Sequence, residues 1–257
     1  MKKNKKEVLF IMMVLLLLMS CFSFDSKKIT EKNKREDGKG FTVIELFTSE
    51  GCSSCPSADA LVSRILNENK KDVYILSFHV DYWNRLGWKD VFSNAAFSER
   101  QQLYASHLAL NGVYTPQIVV NGIEEFVGSD EDRLRSSLNK KQPSTLTIEA
   151  VKTNSTTIHL AYNNANSNGE LLNIAFIQPE AITDVKRGEN GGRKLHHVNI
   201  VREFKTIEAA NSGSMDFDIP LDLREISFKI IAFIQHKKDF KITGAAQTDI
   251  VFTGKRI

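Results

Sequence analysis

The sequence predicts an α/β domain followed by a mostly-β domain of antiparallel, sandwich-like form, and three observations predict it. In residues 41–142, strand-like apolar runs alternate with segments whose apolar residues recur three and four apart, in the order β-α-β-α-β-β-α. From residue 143 onward, six short alternating or apolar runs follow one another, separated by Asn, Gly and Ser. At 257 residues, the chain has enough material for two such cores.

The chain begins with Lys2, Lys3, Lys5 and Lys6 against Glu7, then an apolar run over 8–19 that is too short to prefer a membrane span. Residues 1–20 read as an export signal. Leu18-Met19-Ser20-Cys21 resembles the lipobox of bacterial lipoproteins, which implies cleavage before Cys21 and a lipid on its sulfur. Ordinary signal cleavage nearby is the alternative. Residues 21–40 alternate charges with few apolar groups and cannot build a core, so they read as a flexible charged tether. The formal charge of +3 lies entirely in the first 20 residues, and the remainder sums to zero. That leaves no electrostatic case for nucleic acid.

Within 41–142, residues 41–47 (FTVIELF) make a strand and 57–67 a helix with Ala58, Leu61, Val62, Ile65 and Leu66 on its apolar side. Residues 72–80 (DVYILSFHV) make a second buried strand, so the pair is expected to be parallel across a helical crossover. An aromatic loop over 81–90 holds both tryptophans, Trp83 and Trp88. A long helix is expected over 93–110, with Phe97, Leu103, Tyr104 and Leu108 on one side. Residues 113–120 form a third strand interrupted by Thr115-Pro116, and Asn121-Gly122 signals a tight hairpin into 123–127. A last helix over 129–138 starts at Ser129, with Asp132 three residues on.

In the second domain, 143–257, strands are expected over 146–151, 156–162, 171–178, 198–204, 214–219 and 226–235. Between two of them lies the basic, glycine-rich loop 184–197 (DVKRGENGGRKLHH), longer than a connection requires. Arg187, Arg193, His196 and His197 can bind an anion or a metal, or reach over the site described next. Adjacent histidines point to opposite sides of a strand, so His196 and His197 do not ligate one ion together.

The chemistry centres on Cys52 and Cys55, which sit where a strand ends and a helix begins. Unpaired backbone N–H groups and the helix dipole stabilise a thiolate there. Cys52, the more exposed at the helix start, is expected to be the attacking thiolate and Cys55 the resolving thiol. Pro56 suits the first helical turn. Ser53 and Ser54 between the cysteines carry no charge, and Glu50 opposes thiolate formation. His79 and Asp81 end the second strand at the same edge, as proton shuttles or as satisfied structural groups. Trp83 and Trp88 either wall a substrate groove or pack on the core.

A Cys-x-x-Cys after the first strand of this β-α-β-α-β-β-α order resembles the thioredoxin fold. The resemblance implies that Pro116, preceded by Thr115, is a cis-proline lying against the dithiol. It also sets Glu45 one position upstream of the buried proton-transfer acid of thioredoxins, to fill that role or to pair structurally. Five segments, VIELFTSEGCSSCPSAD, FHVDYWNRLGWKD, FSNAAFSERQQLYA, YTPQIVVNG and RGENGGRKLHHVNIVRE, resemble the exported bacterial thioredoxin-like proteins of domain-of-unknown-function family 1223. That resemblance runs from residue 41 to the C-terminus. Because it includes the 184–197 loop, this loop is expected to dock beside the Cys-x-x-Cys face.

Three function classes follow. The first is a membrane-tethered thiol–disulfide oxidoreductase, with Cys52, Cys55, Pro116, Thr115 and Glu45 as its catalytic group. Ser53, Ser54, Trp83, Asp81, Arg193 and His196 would contact its substrate, an exported protein carrying a disulfide or a dithiol. The second is a binding module with a static Cys52–Cys55 disulfide, although so small a loop gains little chain entropy from closure. The third is a copper-handling protein using both thiolates with His79 or another histidine. No cofactor and no metal site is expected from any motif. The expected location is outside the cytoplasm, anchored to a bacterial membrane through Cys21.

Overall fold

β-branched and aromatic residues dominate Thr42–Thr48 (β1) and Val73–His79 (β2), and both strands are buried on both faces. In the computed structural model, which describes residues 40–68, 72–139, 143–164 and 170–251, the two run parallel, Thr42 opposite Val73 and Thr48 opposite His79. The crossover between them is Cys55–Asn67 (α1). It buries Ala58, Leu61, Val62 and Ile65 against Ile44, Leu46 and Ile75. The export signal, Cys21 and the charged tether lie outside the described residues.

Ala95–His107 (α2) is shorter than the helix expected over 93–110. Asn94 caps it by accepting from the Ala96 N–H, and Leu108 ends it. Its buried side presents Phe97, Gln101 and Tyr104, whereas Leu103 is 56% exposed, contrary to expectation. Gln117–Val120 (β3) pairs antiparallel with β1, and Glu124–Val127 (β4) pairs with β3. β3 starts only after Pro116, which has no N–H to donate to a ladder. In Glu131–Ser137 (α3), Asp130 rather than Ser129 is the cap, accepting from the Arg133 N–H.

The second half contributes Thr147–Lys152 (β5), Thr157–Asn163 (β6), Glu170–Asp184 (β7), Lys194–Glu208 (β8), Ser212–Asp218 (β9), Phe228–His236 (β10) and Ile242–Ile250 (β11). The last of these has no counterpart among the expected strands. β7 and β8 form a hairpin of two 15-residue arms, far longer than the runs 171–178 and 198–204 suggest.

That hairpin overturns the expected fold class. The protein is mostly β, with 45% of the described residues in strands and 19% in helices. It is not an α/β thioredoxin-like domain followed by a sandwich-like domain. β8 lies parallel to β2 and joins both halves into one eight-stranded sheet, ordered β11-β10-β7-β8-β2-β1-β3-β4. The seam has one backbone pairing, Ser77 with Ile200, and side chains extend it. Ser77 Oγ donates to the Val198 carbonyl at 2.8 Å, and Asn199 Nδ2 to the Ile75 carbonyl at 3.0 Å. Because β2's edge is occupied by β8, the first four strands do not close a sheet of their own.

Alternation along the strands separates the two faces. On one face a single core runs across the seam, from Val43, Phe47 and Phe78 to Ala175, Ile231 and Phe233, with Phe97 and Tyr104 of α2 packed on it. The other face carries α1 and α3 at one end and the β5-β6-β9 sheet at the other, over Ile174, Phe176 and Ile230.

Candidate functional site

Cys52 and Cys55 form a disulfide, Cα to Cα 5.4 Å, at the carboxyl ends of parallel β1 and β2. Cys55 opens α1 and Pro56 occupies its first turn. Both cysteines are fully buried, which corrects the expectation that Cys52 is the more exposed of the two. Ser53 and Ser54 are the exposed part of the loop, and Ser54 Oγ lies 3.3 Å from Cys52 Sγ.

The cover comes from the turn between β7 and β8. Asn190, fully buried, donates its side-chain amide to the carbonyls of both Glu50 and Cys52 at 2.9 Å. Arg193 holds that amide in place by donating to Asn190 Oδ1 at 2.7 Å. Glu189 accepts from the Ser53 N–H at 3.1 Å. The 184–197 loop therefore touches the Cys-x-x-Cys loop directly, and Arg193 acts on it through Asn190.

Trp83 donates to Thr115 Oγ1 at 2.8 Å, and a Cβ on Gly51 would lie 3.1 Å from Trp83's own Cβ. The half-buried Trp83 thus walls the loop and ties it to Thr115. The Thr115–Pro116 peptide bond is cis, and the Pro116 carbonyl accepts from the Gly128 N–H. Trp88 donates to Glu50 Oε2 at 2.7 Å.

Linked to the Cys-x-x-Cys loop through Glu50 and Asp59 is a group that local sequence pattern does not bring together. Glu50, Asp59, His79, Asp90 and His197 are all at most 4% exposed. His79 and Asp90 share a 2.7 Å contact, and Asp90 also accepts from the N–H groups of Glu50 and Phe92. Burial pushes the Asp90 carboxyl up, but the attraction of His79 and these hydrogen bonds outweigh it, so its pKa lies below the ordinary 3.8. His197 lies between two carboxylates, Nε2 3.5 Å from Glu50 Oε1 and Nδ1 3.4 Å from Asp59 Oδ2. These are close ion pairs without hydrogen-bond alignment, and among the described residues Glu50 Oε1, both His197 nitrogens and, separately, His79 Nε2 have no hydrogen-bond partner. Burial alone would depress the His197 imidazolium; Asp59 and Glu50 overcome it and raise its pKa to about 10. The two imidazoles meet edge to face at 4.8 Å, with the Phe92 ring against both.

Other expected site residues lie elsewhere. Glu45 faces α2, on the opposite side of the sheet from α1, and its oxygens are held by Arg100 at 2.5 and 2.9 Å and by Tyr104 at 2.5 Å. The Arg100 guanidinium sits among the rings of Phe78, Tyr104, Phe204 and Phe233. Glu45 is thus a structural partner and not a proton donor to the cysteines. Asp81 accepts from Ser98 Oγ at 2.6 Å and secures the start of α2. His196 is exposed beside Glu180, while its neighbour His197 faces the interior.

Residues 43–235 match the family described as proteins of unknown function, DUF1223. The chain belongs to the DUF1223 family. This DUF1223 chain is similar to a crystal structure of a protein from Agrobacterium tumefaciens, at 26% identity and TM-score 0.62, over 86% of this chain and 98% of that one. It also resembles the structure of HBP35 of Porphyromonas gingivalis, at 16% identity and TM-score 0.59, over 85% and 79%. The second likeness concerns fold alone. No curated protein matches the chain.

Proposed function

We propose that this DUF1223 protein is an exported thiol–disulfide oxidoreductase, lipid-anchored through Cys21, acting on exported proteins that carry a disulfide or a dithiol. One observation carries the reading: a disulfide closing a minimal loop is flanked in sequence by two buried carboxylates, Glu50 and Asp59, that share one buried histidine, His197. A static staple of this size gains little from chain entropy, and burying charged groups is costly to a fold. Both costs are understandable where sulfur chemistry needs charge nearby.

In the exchange, a substrate thiolate attacks one sulfur of the pair, and the other leaves as a thiolate that takes up a proton. A second substrate thiolate attacks the resulting mixed disulfide and releases the remaining protein thiolate, which is protonated in turn. Two electrons and two protons have passed to the protein, and the substrate gains a disulfide. In reverse, reduced Cys52 attacks a substrate disulfide and Cys55 resolves the adduct. Either direction requires the loop to open, because both cysteines are fully buried, and the Asn190 and Glu189 contacts hold that loop in place.

That cover favours a second reading, a binding protein whose Cys52–Cys55 disulfide is static. The reduction potential separates the two, measured on the purified protein by alkylation across a glutathione series. A value between about −270 and −120 mV supports exchange, and one below about −300 mV assigns the disulfide a static role. The anchor is checked separately: radiolabelled palmitate is expected to follow Cys21 and to vanish in Cys21→Ala.

A further inference from the structure

The β7–β8 hairpin does more than cover the disulfide. Its second arm carries His197 inward to a position one carboxylate removed from each end of the Cys-x-x-Cys loop. Glu50 stands two residues before Cys52, and the same Asn190 amide binds the Glu50 and Cys52 carbonyls. Asp59 stands four residues after Cys55 on α1, hence on the same helical face one turn along. His197 bridges these two carboxylates at 3.5 and 3.4 Å.

We propose that His197 is the positioning residue of the dithiol, supplying the positive charge that offsets Glu50 and Asp59 and so sets thiol acidity and reduction potential. The inference rests on the redox reading of the same pair. When the disulfide takes up two electrons and a first proton, it becomes one thiol and one thiolate, and a new negative charge appears in a buried place. Without an imidazolium, that charge would arise in a loop flanked by two buried carboxylates, Glu50 and Asp59, in a poorly screened interior, which disfavours it.

The groups facing His197 account for its charge from every side. Glu50 approaches from the loop after β1, Asp59 from α1, and the His79 ring from β2. Asp90 offsets His79 by direct contact. Arg202 is one ring away, stacked on Phe92, which packs against His197. The imidazolium is retained up to a pH of about 10, so it is present throughout the neutral range. Each of its nitrogens faces one carboxylate, Nε2 that of Glu50 and Nδ1 that of Asp59, so its charge is shared between the two ends of the loop.

The test is the thiol pKa of the reduced protein, read from the pH dependence of iodoacetamide alkylation, together with the reduction potential. In His197→Gln the more acidic thiol is expected to rise by at least about one pH unit. The equilibrium with glutathione should shift about tenfold toward the disulfide, which is ~30 mV for a two-electron couple. Asp59→Asn removes a negative charge and is expected to move the thiol pKa downward. Opposite signs from two substitutions in one cluster do not arise from general loosening. A folded His197→Gln protein with unchanged thiol pKa and potential overturns the proposal. If that variant does not fold, Asp59→Asn decides: a downward shift supports the proposal, and none overturns it. A wild-type potential below about −300 mV with the thiol pKa changes intact would remove the exchange reading while leaving His197's control of thiol acidity in place.

Discussion

Asn190 is one side chain holding two carbonyls, those of Glu50 and Cys52, and it is itself oriented by Arg193. Asn190→Ala would strip the Glu50 carbonyl of this donor and leave the Cys52 carbonyl with the Cys55 N–H alone, at a cost of about 1–3 kcal/mol. Much of that loss falls on the local opening that exposes the sulfurs. Reduction of Cys52–Cys55 by dithiothreitol is therefore expected to accelerate, about tenfold for each 1.4 kcal/mol of easier opening. An unchanged reduction rate in a folded Asn190→Ala protein would mean that this amide does not limit access. The 184–197 loop stands out in the sequence, but nothing marks Asn190 within it, since its partners lie 138 and 140 residues away. Asp59 is more legible. It is a carboxylate on the apolar side of a helix, among Ala58, Leu61 and Val62, where an unexplained polar residue signals a partner. The alternation rule separates His196 from His197 correctly but does not say which of them turns inward.

The connection between β3 and β4 illustrates how an element can be foreseen for one reason and depend on another. Asn121-Gly122 is readable as a tight hairpin, and both residues have positive φ, 50° and 75°. The same turn also serves as a joint. Asn121 Oδ1 accepts from the Val43 N–H, and the Asn121 carbonyl accepts from the Ile242 N–H at the start of β11. A Cβ on Gly122 would lie 2.0 Å from the Phe240 carbonyl oxygen, which is backbone and cannot swing aside. Gly122→Ala is therefore expected to cost more than the roughly 1 kcal/mol of an ordinary left-handed glycine. Steric displacement of the β10–β11 turn should bring the total to about 3 kcal/mol or more. Urea denaturation would read this as a lower midpoint, and a loss under about 1 kcal/mol would mean that the two turns separate without penalty.

For the molecule as a whole, stability should follow the charge state of the buried group. His197 titrates at about 10 in the folded protein against an ordinary 6.5, so the folded state holds its proton more tightly than the unfolded chain does. Its contribution is fully present below pH 6.5 and is lost as the pH rises toward 10. Asp90 has the opposite sign: its pKa is lowered, so its contribution is present above 3.8 and is lost as the pH falls through the lowered value. Tm is thus expected to be highest between these limits. On the alkaline side it should fall by an amount reflecting a few kcal/mol, at about 1.4 kcal/mol for each pH unit separating the folded and unfolded pKa values. In His197→Gln the alkaline limb should flatten. Equal alkaline slopes in the two proteins would place the source of that limb elsewhere.

Local pattern is enough to mark most strands and helices, the Cys-x-x-Cys at a strand-to-helix junction, and the hairpin at Asn121-Gly122. These depend on residues within a few positions of one another, and their physics is that of periodicity, turn chemistry and helix ends. The joining of the two halves into one sheet is not readable in this way. It rests on the Ser77–Ile200 pairing, on two side-chain hydrogen bonds, and on hairpin arms that run well beyond the apolar stretches 171–178 and 198–204. The buried group linked to the Cys-x-x-Cys loop follows from the same event. β8 enters beside β2 and places His197 against Glu50 and Asp59, and a pairing between residues more than a hundred positions apart leaves no periodic trace in either segment.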